Sequence, residues 1–246
     1  MEIMHRHVMV IPEERKEEFL SLQRQIEELE MEVGHPGARH YTPLFSAEST
    51  QSLVTERIYN ARDFGRLTQE RYSNKTLQQL EAKRLGLLSW NRQELYYVDT
   101  GNPVPRWMKG LSSSTLKEDV FSSLLPVEEL AAKGDGQDGK VKVMLRHIQC
   151  VRKNKWIEKV EQERLSDQAE LNANYPLPIR YRAMCAPMNC HIRIHEREYE
   201  SYAEMCRLDE NFYLTNTNAD KHLWGQEIRR QEFVAWEAGE LYFVLD

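Results

Sequence analysis

Apolar residues recur along the first hundred positions with two distinct periods. Phe19, Leu22, Ile26, Leu29 and Val33 are spaced by 3, 4, 3 and 4, which sets one apolar stripe along a helix. The acidic pair Glu13-Glu14 suits its N-terminus, where the backbone dipole favours negative charge, and Gly34 with Pro36 stops it. Ahead of it, Val8-Met9-Val10-Ile11 is a short β-rich run closed by Pro12. Arg39 to Phe45 and Ser52 to Tyr59 predict a hairpin across a polar loop. Phe64, Leu67, Leu77, Leu80, Leu87 and Leu88 predict a second helical region broken near Ser73-Asn74, and Leu95 to Val98 a closing strand.

The same course returns later in the chain. Met4-His5-Arg6-His7-Val8 is echoed by Met144-Leu145-Arg146-His147-Ile148, 140 positions on. Val54 to Tyr59 is echoed at that offset by Ile194 to Tyr199. Arg66-Leu67 returns as Arg207-Leu208, and Trp90 with Glu94 to Val98 returns as Trp236 with Glu240 to Val244. The preserved order and slowly growing offset are what loop insertions produce in a duplicated unit. In the second copy the pattern predicts strands over 141–151, 179–184, 191–196 and 241–245. Helices are expected over about 156–171, 199–214 and 221–230.

Two βαββαβ units follow, residues 1–99 and 141–246, joined by a connector over 100–140. The connector opens on Gly101-Asn102-Pro103-Val104-Pro105, carries short helices around Leu116–Leu125 and ends in the turn-rich Gly134 to Gly139. Trp107 and Met108 are expected to anchor it by burial. A βαββαβ unit is a ferredoxin-like α+β fold: an antiparallel sheet with both helices on one face. The other face exposes apolar residues until a second sheet covers it, and here that sheet is on the same chain. Two such sheets cover each other or close into a barrel.

His195-Glu196-Arg197-Glu198-Tyr199-Glu200-Ser201-Tyr202-Ala203-Glu204-Met205 resembles the strand-to-helix segment of NIPSNAP-like proteins, in the dimeric α+β barrel superfamily. Glu56 to Phe64 is a weaker version without the Glu-Ser pair. The resemblance implies an intramolecular dimeric α+β barrel. It leaves three functions open, because that superfamily spans proteins without assigned activity, cofactor-independent monooxygenases and isomerases, and haem-binding or haem-degrading proteins.

Composition narrows the class. The 246 residues carry a net charge of −6 and are 29% charged and 41% hydrophobic, which describes a soluble protein. No run approaches a membrane-spanning length, and the acidic balance offers no general attraction for nucleic acid or anionic lipid. Met1 to Arg6 shows no secretory pattern, so a cytoplasmic setting with reduced Cys150, Cys185, Cys190 and Cys206 is expected. The thiols are expected to be buried and unreactive. His191 and His195 on one strand lie about 13 Å apart at about 3.3 Å per residue, too wide for one metal ion. There is no G-x-G-x-x-G, P-loop or G-x-S-x-G. Trp90 and Trp236 read as repeated core anchors.

Strand alternation then selects pocket candidates. If Val8 and Val10 face the helices, His5, His7 and Met9 face the opposing sheet, and His147 and Gln149 do so in the second copy. Arg57 in the first copy, and Arg193, His195 and Arg197 in the second, share a face. Tyr41 and Arg182 are their neighbours on the second strands. His7, Tyr41, Arg57, His147, Arg182, Arg193, His195 and Arg197 are therefore the candidate ligand-binding residues. Arginine holds a carboxylate or enolate in two-pronged fashion and histidine moves protons near neutral pH, which suits a small polar or aromatic ligand. The competing reading pairs these arginines with Glu56, Glu196 or other rim carboxylates. No cofactor is required; haem on His7 or His147 is implied only by the superfamily. Self-association of the two-unit chain is a candidate assembly.

Overall fold

The computed structural model describes residues 1–46, 52–99, 141–185, 191–214 and 218–245. The connector over 100–140, with Trp107 and Met108, lies outside them. The first half runs β1 (Glu2–Val10), a 3-10 turn (Glu13–Arg15), α1 (Lys16–Glu32), β2 (Arg39–Phe45), β3 (Ser52–Asn60), α2 (Ala61–Ser73), α3 (Lys75–Leu87) and β4 (Trp90–Val98). The second runs β5 (Val143–Val151), α4 (Trp156–Asn172), β6 (Ile179–Cys185), β7 (Ile192–Tyr199), α5 (Tyr202–Leu214), α6 (Asn218–Phe233) and β8 (Val234–Val244).

Local chemistry sets the boundaries. The expected break at Ser73-Asn74 is Asn74, whose side chain accepts hydrogen bonds from the Thr76 and Leu77 amides, both at 3.1 Å. It thereby caps α3 while ending α2. Helices α1 and α4 both exit through a left-handed residue, Gly34 with φ 93° and Asn174 with φ 62°. Glycine and asparagine tolerate that region best. Strands β1, β4 and β8 are longer than their apolar runs suggest, because charged residues continue the ladder.

The eight strands close in the order β1-β3-β2-β8-β5-β7-β6-β4. Each half is an antiparallel sheet, and the β2–β8 and β4–β6 pairings seal one to the other. This is the α+β, intramolecular dimeric barrel architecture. Most of the strand length is consequently covered on both faces, by the barrel interior and by helices, the starts of β4 and β8 excepted. Val8, Tyr41, Val54, Met144, Tyr242 and Val244 form one interior cluster, and Met4, Tyr96, Tyr181, Ile192 and Ile194 belong to another. No helix among the described residues is long and apolar enough to cross a membrane.

Val8 faces the interior, so the strand faces are inverted relative to the sequence expectation. His7, Arg57, His147, Arg182, Arg193, His195 and Arg197 lie on the outer, helix-side face, and Tyr41 alone of the eight candidates points into the barrel. The inversion has a physical cause. Alternation distinguishes faces only when one is wet, and here both are buried. The two tryptophans are also corrected: Trp90 is 45% and Trp236 40% exposed, so neither is a core anchor. Cys206 is exposed and Cys150 half-buried.

At mid-barrel the interior is ionic rather than apolar. Arg6 donates from Nη1 to Glu56 at 2.5 Å and from Nη2 to the Tyr242 hydroxyl at 2.7 Å. Arg146 repeats the pattern with Glu196 at 2.5 Å and the Tyr96 hydroxyl at 3.1 Å. Tyr96 donates to Glu94 at 2.7 Å and Tyr242 to Glu240 at 2.8 Å. All these residues are buried. Two interior guanidiniums thus serve four carboxylates, with Arg92 reaching Glu94 from the rim at 2.8 Å. Burial and the neighbouring Glu56 push the Glu196 carboxyl up to about 7, against the pull of Arg146 and Arg6.

The folded state therefore keeps a proton on Glu196 that the unfolded chain releases near its ordinary value of 4.5. Stability from this group is present below that value and falls as pH rises toward about 7. Comparing urea unfolding of wild type and Glu196→Gln from pH 5 to pH 8 should show the balance shifting toward the glutamine variant. A pH-independent difference between the two would contradict this account.

Candidate functional site

The two halves treat the space between sheet and first helix differently. On α1 the inward positions are Phe19, Leu22 and Ile26, all buried, and Phe19 and Leu20 pack with Met9, Ile11, Leu53 and Leu245. Helix α4 has the same length and sits on its own sheet in the same way. Its corresponding positions are Lys159, Gln162 and Ser166, also buried. Buried polar residues occur under both helices, Gln23, Glu27 and Glu30 on α1 among them, but the three apolar positions of α1 are polar on α4, where a cavity of about 370 Å³ opens. That is within the range of small-molecule sites. Its floor is Leu145 and His147 from β5, Arg180 from β6, and His195, Arg197 and Tyr199 from β7; α4 forms the roof.

Glu163 on α4 organises one wall. Its carboxylate accepts Arg193 Nε at 3.1 Å and Nη2 at 2.6 Å, His195 Nε2 at 2.9 Å and Lys159 Nζ at 3.0 Å. Arg180 Nε lies 3.5 Å away. Burial alone would favour the neutral acid, but His195, Lys159 and Arg193 hold Glu163 well below the usual carboxylate range. Arg180 is held two-pronged by Asp167 at 2.9 and 2.5 Å, Arg197 pairs with Glu170, and Arg230 with Glu237 at 3.2 Å. The guanidiniums are thus fixed by carboxylates, as the ion-pair reading requires. The partners are helix or rim residues, however, while Glu56 and Glu196 serve the barrel interior.

His147 differs from its neighbours. Burial, followed by Arg230, Arg197 and Lys159, pushes it down to about 3, so it is neutral at pH 7 beside two guanidiniums and the Lys159 amine. Gly239 lies across from its ring, where an added Cβ would come within 3.5 Å. His195 is also pushed well down by burial, although Glu163 opposes this.

Three candidates, His147, His195 and Arg197, meet in this cavity. Arg193 stands behind it and also lines a smaller cavity of about 160 Å³ with Arg182, Trp156 and Asp99. Arg182 stacks over Tyr97 at 5.3 Å. His7 and Arg57 belong to the first half, where Arg57 pairs with Glu30 at 2.5 Å. Lys159, Gln162, Glu163, Ser166, Glu170, Arg180 and Arg230 are site residues that strand alternation missed. The repeat offset would have found several, because 140 positions back from Lys159, Gln162 and Ser166 stand Phe19, Leu22 and Ile26.

Haem does not suit this cavity. A porphyrin needs apolar walls, whereas Lys159, Gln162, Glu163, Ser166 and Glu170 form the roof; the misfit lies in these walls, since His147 lines the cavity as a histidine donor even though Glu163 engages His195 Nε2. His7 stacks on His5 at 6.4 Å in the first half. Among the described residues no group of three or more His, Cys, Asp or Glu could hold a metal ion. The Cys185 side chain and Cys190 lie outside the described residues.

Known structures agree with the architecture. The chain is similar over 100% of its length to a candidate monooxygenase from Fusobacterium nucleatum subsp. nucleatum, at 10% identity, 93% of that chain and TM-score 0.63. A candidate monooxygenase from Lactobacillus acidophilus follows at 8% identity, 100% of this chain, 94% of that chain and TM-score 0.59. An anthrone oxidase-like protein matches at 9% identity, 100% of this chain, 92% of that chain and TM-score 0.55. At such identities the shared property is the fold, a dimeric α+β barrel. No protein-family model and no curated protein matches the sequence.

Refilling the cavity should exchange binding for stability. The variant Lys159→Phe, Gln162→Leu, Ser166→Ile copies the apolar helix face of the first half. It should unfold in urea with about 1–4 kcal/mol more stability than wild type, the range seen when buried polar clusters become apolar. A destabilised but folded variant would mean that the polar lining contributes net cohesion.

Proposed function

We propose that this protein binds a small organic molecule bearing an acidic oxygen, such as a phenol, enol or carboxylic acid, in the α4-side cavity. The observation that carries the reading is the substitution of an apolar helix face by Lys159, Gln162 and Ser166, which forgoes core packing to leave polar space. Next to His147 the ring faces Arg230, Arg197 and Lys159, so an anionic oxygen there meets positive potential. That oxygen in turn favours the protonated form of His147. In this reading His147 and Arg197 are ligand-binding residues, His195 and Arg193 position Glu163, and Arg182 lies outside the site.

Within that site, proton transfer is the chemistry best supported. His147 can accept the ligand's acidic proton, leaving the electron pair on a ligand oxygen stabilised by the surrounding cations. This is the first step of a cofactor-independent isomerisation, and equally of a reaction in which the substrate anion reduces dioxygen. Solved structures of this fold that are described as candidate monooxygenases and anthrone oxidase-like favour the second of these. The NIPSNAP-like strand-to-helix segment and the duplication of units 1–99 and 141–246 belong to the same proposal, with the second unit retaining the site.

Calorimetric titration with a panel of small phenols, quinones and aromatic acids tests the proposal. Saturable binding is expected, with net proton uptake for the aromatic acids, which arrive ionised, and none for phenols, which supply their own proton, as read by comparing buffers of different ionisation enthalpy. In His147→Gln the uptake should vanish. Failure of every ligand to saturate wild type would remove the reading.

A further inference from the structure

We propose that Lys159 is a nucleophilic amine that captures the carbonyl of a small aldehyde or ketone carrying an acidic group, forming an imine within the cavity. The inference rests on reading this cavity as the ligand site and goes beyond it by assigning covalent chemistry. Lys159 is buried, lines the cavity and stands where the first half has Phe19, so its amine is not placed for packing. Its Nζ lies 3.1 Å from Gln162 Oε1 and 3.0 Å from Glu163 Oε1.

The charge balance around Nζ explains why this amine can be neutral. Glu163 already accepts three contacts within 3.1 Å from Arg193 and one from His195 at 2.9 Å. Arg180 from β6 and Arg230 from α6 add further positive charge, and His147 from β5 shares the same field. Of the cations competing for Glu163, guanidiniums keep their protons and an ammonium can lose one. Burial lowers the Lys159 pKa, Glu163 opposes, and Arg180 and Arg230 reinforce the lowering.

In the step itself, the neutral amine's lone pair attacks the carbonyl carbon and a C–N bond forms. The carbonyl oxygen leaves as water, carrying the two hydrogens that were on nitrogen, and C=N replaces C=O. Nothing is oxidised or reduced. An acidic substituent on the same molecule suits the cationic surroundings of His147.

The test uses the full chain at pH 7 with 4-carboxybenzaldehyde and cyanoborohydride, which reduces an imine to a stable secondary amine. Peptide mass spectrometry should find Lys159 modified several-fold faster than the exposed Lys153 and Lys155, because lowering an amine's pKa raises its neutral fraction at pH 7. Lys159→Arg puts a permanent cation, without a nucleophilic amine, beside Glu163 and should abolish the fast modification while leaving the circular dichroism spectrum unchanged. Modification of Lys159 no faster than Lys153 would overturn the inference. Binding of 4-hydroxybenzoate, which cannot form an imine, separates the two readings. If it saturates wild type while Lys159 stays unmodified, only the imine fails; if neither occurs, the ligand site fails with it.

Discussion

Most of the strand length in this protein is pressed from both sides. Closing two four-stranded sheets into one barrel removes the wet face that an antiparallel sheet normally keeps, and the helices cover the other. Any charge on a strand must then find a partner or be neutralised, because an unpaired buried charge costs several kcal/mol. The barrel meets this requirement inside with the Arg6, Arg146, Glu56 and Glu196 network and its tyrosines. It meets it outside with carboxylates contributed by the helices, notably Glu30 and Glu163. The candidate site is a local relaxation of the same constraint, where α4 supplies polar groups and leaves space.

Much of the architecture is legible in the sequence because it depends on order rather than orientation. The 3-4-3-4 stripe of α1, the break at Asn74 and the drifting offset each report local chemistry or chain length, and the structure places the corresponding elements accordingly. Orientation was not legible. Val8 and His7 differ in polarity, yet both are buried, so polarity could not say which faces the helices. Seven of the eight candidates were therefore assigned to the wrong side of their strands, and Trp90 and Trp236 were expected to be buried when each lies partly in solvent.

Part of the site was nevertheless named, for a reason independent of facing. His147, His195 and Arg197 are unusual residues for central strands, and they remain unusual whichever face they occupy. Lys159, Gln162 and Ser166 escaped notice because a polar residue on a helix ordinarily signals solvent. Only alignment with Phe19, Leu22 and Ile26 reveals that these positions point inward. The matching order of elements in the two halves thus supplies a reference within the chain, against which a departure from packing can be recognised.

The crossed wiring of the interior has one further consequence. Arg6 from the first half reaches Tyr242 and Glu240 of the second, while Arg146 reaches Tyr96 and Glu94 of the first. A half on its own would strand these groups without their counterparts and bare two sheet edges, β2 and β4 in the first half or β8 and β6 in the second. Each half thus completes the other twice over, closing its sheet edges and supplying the partners that its buried arginine lacks within its own unit.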